Sequence, residues 1–572
     1  MPFVQPSTIV LLGILVAGLS LLYRWALPRP IPGIPHNPSA ARSVWGDVPE
    51  IVAYKKRHGE VRSWFAERAI RYRAPLTQAW LSPFSKPVLI LSQCDEDYDI
   101  FLRRTKEFHR GSQSCDAFHG SIPEHHIAMM SSDPRFKRNK ALVRDLMAPS
   151  FLHGLSAPQI HAKSMTLIKL WALKAQLAKG RPFEALSDVF GVATDMIMAV
   201  AFAFDDNLST IKVQLDHLIS HVDSENFPII DANGVACFPV STVPPEIEAC
   251  QILAEHVGVL FNSLMPRLED RWKMLTNLRL RRAVKKKNQV ISREIDKSLA
   301  RLERGEASMI SAVDHLLERE KAASIKEGRA PEFHARRIYD ELLGYVVAGH
   351  ETSATALTWM IKLLSIHQHV QSSLRAALQE AYASAAAEKR QPTASEIAVT
   401  SVPYLDATIE ESLRYAPPIP LLMRATMVDT ILLGHHVPKG TNVLMPAVGP
   451  GYTKPAVPVD DETIPATARA KGWATRWDES DMHLFKPERW LRTAEDGKGK
   501  RFDSQAGPMI TFGLGLRSCF GKRLAYLEMR MMLALVVWNF RFKKPEGKLA
   551  SNEVHEAITT SPKVCYVILE EV

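Results

Sequence analysis

The chain has 572 residues, of which 46% are hydrophobic and 23% charged, a composition that excludes a disordered polymer and leaves length for one large core or two smaller ones. Its 71 Lys and Arg only modestly exceed its 62 Asp and Glu, and they form no basic stripe with interleaved aromatics, so no nucleic-acid partner is expected. Six scattered cysteines (Cys94, Cys115, Cys237, Cys250, Cys519, Cys565), without C-x-x-C spacing or the density of a disulfide framework, fit a reducing, cytosol-facing compartment.

From Met1 to Tyr23 no residue is charged, and Ile9 to Leu22 is almost wholly aliphatic, close to the ~20 residues a bilayer span needs. Residues 1–27 are therefore expected to form a transmembrane anchor. Arg24 and Arg29 follow it at once and no Lys or Arg precedes it, which places the rest of the chain in the cytosol. A cleaved signal peptide would need a basic N-terminal region, and none is present. Residues 28–40, with Pro28, Pro30, Pro32 and Pro35, read as a stiff hinge, and residues 41–572 as the catalytic domain.

The fold class expected for that domain is mostly α with a small β portion. Trp80 to Leu91 has two short apolar runs broken by Pro83 and Pro87, which predicts a hairpin. The histidine pairs His125–His126 and His435–His436 lack the spacing of a zinc site and read as surface or packing residues. Leu167, Leu170, Leu173 and Leu177 recur at three- and four-residue steps, as on one side of a helix. The basic run Arg279, Arg281, Arg282, Lys285, Lys286, Lys287 reads as a solvated helix face, with contact to anionic lipid as the alternative.

A long helix is predicted from Glu332, behind Pro331, to about His367. Its apolar middle carries Ala348-Gly349-His350-Glu351-Thr352-Ser353. Glycine costs about 1 kcal/mol there relative to alanine, and an acid beside a threonine in an apolar helix needs polar partners, so a locally opened helix is expected. The alternative is polar side chains bonding back to the preceding turn. Glu411 and Arg414 lie three apart on one helix face, a pair worth only ~0.5 kcal/mol if exposed. A second hairpin is predicted over Thr430 to Met445, around Gly434 and the Pro438-Lys439-Gly440 turn.

Near the C-terminus stands Phe512-Gly-Leu-Gly515-Leu-Arg517-Ser-Cys519-Phe-Gly521, followed by a helical run from Lys522 to Trp538 and by strand composition from Val564 to Leu569. A thiolate that ligates iron must be accessible on a loop, and hydrogen bonds must hold its pKa down. Gly513 and Gly515 permit a tight turn, Gly521 lets backbone amides approach the sulfur, and the following helix directs its positive end toward it. Ser518 stands where a dinucleotide fingerprint would need its third glycine, which argues against a phosphate loop.

This segment resembles the haem-binding loop of the cytochrome P450 family, F-x-x-G-x-R-x-C-x-G, at every fixed position. The resemblance implies the cytochrome P450 fold, haem b with Cys519 as the axial iron ligand, and Arg517 and Phe512 at the cofactor. It implies that Glu351 and Thr352 deliver protons during dioxygen activation, and that Arg489 of Phe485-Lys-Pro-Glu-Arg489-Trp490 joins Glu411 and Arg414 in a buried charge network that supports the structure around the haem. Behind Asp133-Pro134, where the family places an aromatic or His and then Arg, this chain has Phe136 and Lys140; Lys140 and Arg424 are the further candidates for a haem carboxylate. Gly451 to Asp481 is longer than this connection usually is and resembles insertions of filamentous-fungal members of secondary metabolism.

The implied activity is insertion of one oxygen atom from dioxygen into a hydrophobic small molecule. Too few residues follow Cys519 to form a flavin or nicotinamide domain, so NADPH electrons are expected through a separate membrane-bound cytochrome P450 reductase, docking on Lys137, Arg138, Lys522 and Arg523. Phe108 to Met130, Tyr345, Ala348 and Ile419 to Met423 are the expected substrate-lining positions. The implied location is the endoplasmic reticulum membrane, with the catalytic domain in the cytosol. A haem-thiolate isomerase or dehydratase and a non-catalytic haem sensor are the competing readings; neither needs the acid–threonine pair.

Overall fold

The computed structural model describes residues 6–111, 115–222, 227–263, 265–305, 309–460, 462–470, 472, 477–494, 497 and 499–572. The chain divides into two units, Met1–Gly111 with Leu421–Met482, and Ser112–Pro420 with His483–Val572.

The first unit begins with helix α1 (Pro6–Ala26), whose last turn carries Arg24. Residues 1–5 of the expected anchor lie outside the described residues, and the side chains of α1 are described without interruption only from Val10, a stretch shorter than the ~20 residues of a span. Among the described residues, no helix is long and apolar enough to cross a membrane. The transmembrane expectation therefore gains no support from the fold. The proline-rich segment docks on its own unit: the buried Gln78 amide donates to the carbonyls of Ile31 (2.9 Å) and Ile34 (2.7 Å) and accepts from Ile31 N (2.9 Å).

Gln78 belongs to a five-stranded sheet of β1 (Leu76–Ala79), β2 (Val88–Leu91), β3 (Phe108–His109), β4 (Leu421–Thr426) and β5 (Asn442–Pro446), in the order β1-β2-β5-β4-β3. The first predicted hairpin exists, but its first strand lies earlier, with Leu76 opposite Leu91 and Ala79 opposite Val88. Pro83 and Pro87 fall in the connection, where their missing N–H groups cost no ladder bond. The second hairpin is split. Thr430–Leu432 pairs with His435–Val437 around Gly434, whereas β5 runs parallel to β2 and antiparallel to β4. Local turn chemistry gave the short hairpin; burial of β5 between two apolar strands decided the other pairing.

The second unit is built mainly of helices, among them α2 (Pro134–Leu142), α3 (Ala157–Ala178), α4 (Leu186–Phe202), α5 (Pro245–Phe261), α6 (Pro266–Thr276), α7 (Leu278–Glu303), α8 (Arg336–Ile366), α9 (Pro403–Tyr415) and α10 (Lys522–Asn539). Leu167 and Leu170 of α3 are fully buried, as their spacing requires. The long helix α8 starts four residues later than predicted, because Ala335 is extended and Glu332 N donates to the Glu320 carboxylate at 3.0 Å instead of entering the helix. Near the C-terminus, Tyr566–Glu571 forms the central strand between Phe540–Lys543 and Phe183–Glu184.

A buried carboxylate joins α9 to the segment that leads toward the cysteine loop. Both oxygens of Glu411, which is 0% exposed, accept from Arg414 (2.7 and 2.8 Å); Arg489 Nε (3.1 Å), Trp490 Nε1 (2.9 Å) and Lys486 N (2.8 Å) complete its shell. Thr511, just before the loop, donates to Leu413 O at 3.0 Å. The sequence spacing alone values Glu411 and Arg414 as a surface pair, but burial changes the magnitude: removing one partner strands the others uncompensated, at about 3–5 kcal/mol. Glu411→Ala should therefore lower the stability of the folded protein by about that amount. A denaturant midpoint within experimental error of the wild type would show that the network carries no such load.

Candidate active site

The cysteine loop is shaped by two left-handed glycines and one backbone bond. Gly513 (φ 59°) and Gly515 (φ 67°) take conformations that a side chain would strain, and Cys519 N donates to Phe512 O at 2.7 Å, closing the loop. The thiol lies three residues ahead of α10 and is exposed. Protein nevertheless surrounds it closely enough that burial raises its pKa, against the N–H of Gly521, the Lys522 charge and the N–H of Lys522, which all lower it. The expectation of a depressed thiol pKa is thus corrected for the protein alone. The stabilising donors are in place, but desolvation outweighs them. Gly521 has an ordinary φ of −77°, so its two-amide arrangement does not depend on glycine's conformational freedom.

Two cations flank the loop on one aromatic shelf. The Arg517 guanidinium lies 3.9 Å from the ring centroid of the buried Phe136 and donates to Ser131 Oγ (2.7 Å), His126 O (3.2 Å) and Met129 O. Lys140 stands 5.6 Å from the same ring and donates to Leu516 O at 3.1 Å; burial, then the Arg517 charge, lowers its pKa. Phe136 thus serves as a cation–π platform. Phe512 packs beside Tyr526, with ring centroids 5.3 Å apart. Arg424 lies on β4 of the first unit, with its guanidinium 4.5 Å from Phe101 and Nη1 donating to Met423 O at 2.9 Å.

Helix α8 crosses its unit without the expected opening. It is continuous through Gly349 to Ser353, and Thr352 Oγ1 donates to Ala348 O at 2.7 Å, the back-bonded alternative. The glycine has a packing reason instead. A Cβ on Gly349 would stand 2.7 Å from Ile197 Cδ1, so it permits the close approach of α4. Glu351 finds its polar partner in Thr559, whose hydroxyl donates to it at 2.6 Å. Ser353 bonds Glu528 of α10 at 2.5 Å, and burial raises the Glu528 carboxyl to about 8, leaving it protonated at neutral pH. Ala348 is exposed, with Val347, Gly349 and Thr352 half-buried, although residues on both sides of them are buried.

The family model for Cytochrome P450 matches residues 51–453 and 477–568. This chain belongs to the cytochrome P450 family. The P450 is 34% identical to the cytochrome P450 monooxygenase TRI13 of Fusarium sporotrichioides, over 98% of each chain. It is also 34% identical to the cytochrome P450 monooxygenase xilC of Penicillium crustosum, over 93% of this chain and 91% of the relative. A crystal structure of a cytochrome P450 (CYP102L1) superimposes with a TM-score of 0.66 at 17% identity, covering 96% of this chain and 99% of the other, and shows the shared fold. The activity class of the P450 is that of a monooxygenase.

The family implies a haem, and the residues present fit one. An accessible thiol held by two N–H groups, two cations suited to carboxylates beside it, and an exposed patch in the middle of an otherwise buried helix form a donor set of the right chemistry. Sequence reasoning missed the residue that ties this set to α8. Buried Glu341 accepts from His126 N (2.8 Å) and His126 Nδ1 (2.8 Å) and contacts His125 Nε2 at 3.3 Å, and the carbonyl of the same His126 receives Arg517. His125 and His126, read as surface or packing residues, are anchors of the segment that holds Arg517. Adjacent histidines carry no periodic signal, and their partner lies more than two hundred residues away, so nothing in the sequence pointed to the pairing.

Proposed function

We propose that this P450 inserts one oxygen atom from dioxygen into an apolar small molecule of secondary metabolism, with Cys519 as the residue that would ligate the haem iron. The observation that carries the reading is the accessible Cys519 thiol, with the N–H groups of Gly521 and Lys522 directed at the sulfur at the start of an 18-residue helix. Relatives named monooxygenases at 34% identity support the reaction class, and the fungal relatives support the metabolic setting. Bound haem supplies dioxygen binding and O–O cleavage, so that substrate R–H, dioxygen, two electrons and two protons give R–OH and water.

The chain's own groups have separable tasks. The Gly521 and Lys522 amides and the positive end of α10 stabilise negative charge on sulfur. Arg517 and Lys140 would hold the haem carboxylates, and Phe512 would pack at the cofactor. Glu351 and Thr352 move protons: the Thr352 hydroxyl, bonded to Ala348 O in this structure, turns outward to hold a proton for dioxygen, and Glu351, held by Thr559, replenishes it. Exposed Lys137, Arg138, Lys522 and Arg523 form the docking patch for an acidic NADPH-dependent reductase.

The isomerase and sensor readings lose ground because the acid–threonine pair would have no task in either. A membrane location rests on α1, where Val10 to Leu22 present exposed apolar side chains such as Leu11, Ile14 and Leu21, followed by Arg24. In this reading the catalytic body lies on the cytosolic face of the endoplasmic reticulum.

Cys519→Ser should abolish the red-shifted Soret band of the reduced carbonyl complex, since a neutral oxygen ligand lacks the thiolate's electron donation; persistence of that band would overturn the ligand assignment. Deleting residues 1–27 should shift the protein from the membrane to the soluble fraction while haem content stays at one per chain. A truncated, folded protein that loses haem would contradict an anchor separate from the body. Thr352→Ala should cut product formation by about 100-fold while NADPH is still consumed and peroxide accumulates. Product, peroxide and NADPH measured in one reconstituted assay decide it, and unchanged coupling would remove Thr352 from proton delivery.

A further inference from the structure

The contacts between α8 and the segment around His126 form a directed hydrogen-bond relay that ends at Arg517. Glu341 is 0% exposed, and its oxygens take the 2.8 Å bonds from His126 N and His126 Nδ1 and the 3.3 Å contact with His125 Nε2. His125 in turn accepts from Ile127 N at its Nδ1, at 3.0 Å. That acceptor role puts the ring proton on Nε2, the nitrogen that faces Glu341. The N–H of Ile127 and the carbonyl of His126 belong to one peptide unit, and this carbonyl receives Arg517 Nη1 at 3.2 Å.

Helix α8 also supplies the room for this relay. A Cβ on Gly344, one turn after Glu341, would stand 2.2 Å from His125 Cδ2 and 2.4 Å from its Nε2, so the glycine leaves the ring its place. Joining two elements does not require a buried carboxylate. Burial raises the Glu341 pKa, against His126, which lowers it, and an apolar contact would hold the segment without that cost. What the carboxylate adds is direction. It draws the Nε2 proton, which makes Nδ1 a stronger acceptor for Ile127 N–H and makes the carbonyl of the same peptide a stronger acceptor for Arg517. Ser131 Oγ (2.7 Å) and Met129 O receive the other N–H groups that fix the guanidinium.

We infer that Glu341 is a positioning residue for haem binding, acting through the His125 ring and the peptide joining His126 to Ile127 on the orientation of the Arg517 guanidinium. The inference rests on the reading that Arg517 holds a haem carboxylate. It adds to that reading a residue sealed from solvent on a different element from the cysteine loop. A change at Glu341 breaks the relay at its charged end. A change at Gly344 breaks it at the ring and leaves every charge in the relay unaltered. Both should therefore loosen the cofactor in the way that loss of Arg517 does.

The test measures the rate of haem transfer from the full-length holoenzyme to excess apomyoglobin, which needs neither reductase nor turnover. Arg517→Ala should speed haem loss about tenfold. Glu341→Gln, which keeps the side-chain volume, and Gly344→Ala, which displaces the His125 ring, should each speed it about threefold. In the Arg517→Ala background neither change should speed it further, because the route from Glu341 to the haem is then already cut. A merely structural role for Glu341 would instead make the effects multiply. A wild-type rate in either single variant, or multiplying effects in the double variants, would overturn the inference. A wild-type rate in Arg517→Ala would separately remove the reading that Arg517 holds the haem.

Discussion

The placement of the cysteine loop depends on one buried carboxylate. Glu411 is sealed from water and receives hydrogen bonds from Arg414, Arg489, Trp490 and the backbone of Lys486. In that environment the charges cannot be exchanged for solvent, so α9 and the segment 484–490 have one arrangement relative to each other. Leu413, two residues on, accepts from Thr511, and the loop that presents Cys519 begins at the next residue. A ligand loop must be accessible at its sulfur and rigid everywhere else; the network supplies rigidity from behind, where no access is needed.

The same division recurs around the site. Desolvation is the largest influence on Cys519, Lys140, Glu341 and Glu528, and in each case it disfavours the charged form. Partners then decide the outcome. Glu341 has two histidines and a backbone N–H and becomes an anchor between α8 and the segment that holds Arg517. Glu528 has only Ser353 and stays protonated at neutral pH. At Cys519 the N–H groups of Gly521 and Lys522 and the Lys522 charge oppose burial without overcoming it.

Helix α8 links the two polar regions of its unit. Its first turns carry Glu341 onto the histidines, and its middle carries Glu351 and Thr352 beside the exposed Ala348. A continuous helix keeps these groups in register, and Gly349 permits the close approach of Ile197, where a bulkier residue would push α4 away.

Much of this was readable from the chain itself. The fixed positions from Phe512 to Gly521 carried the resemblance to the cytochrome P450 family, and the family model matches the chain. The long α8, the helix behind Cys519 and the pairing of Thr430–Leu432 with His435–Val437 followed from local periodicity and turn chemistry. What the tertiary structure alone decided involves partners far apart in sequence. It showed that Trp490 and the backbone of Lys486 also bind Glu411, that β5 pairs with β2 and β4, that Gly349 serves packing and not a kink, that His126 answers to Glu341, and that Lys287 turns away from an otherwise solvated face. Spacing along a chain sets which side chains share a helix face; whether that face meets water or another helix is settled only when the chain is folded, and burial determines what a charge costs and what it can bind.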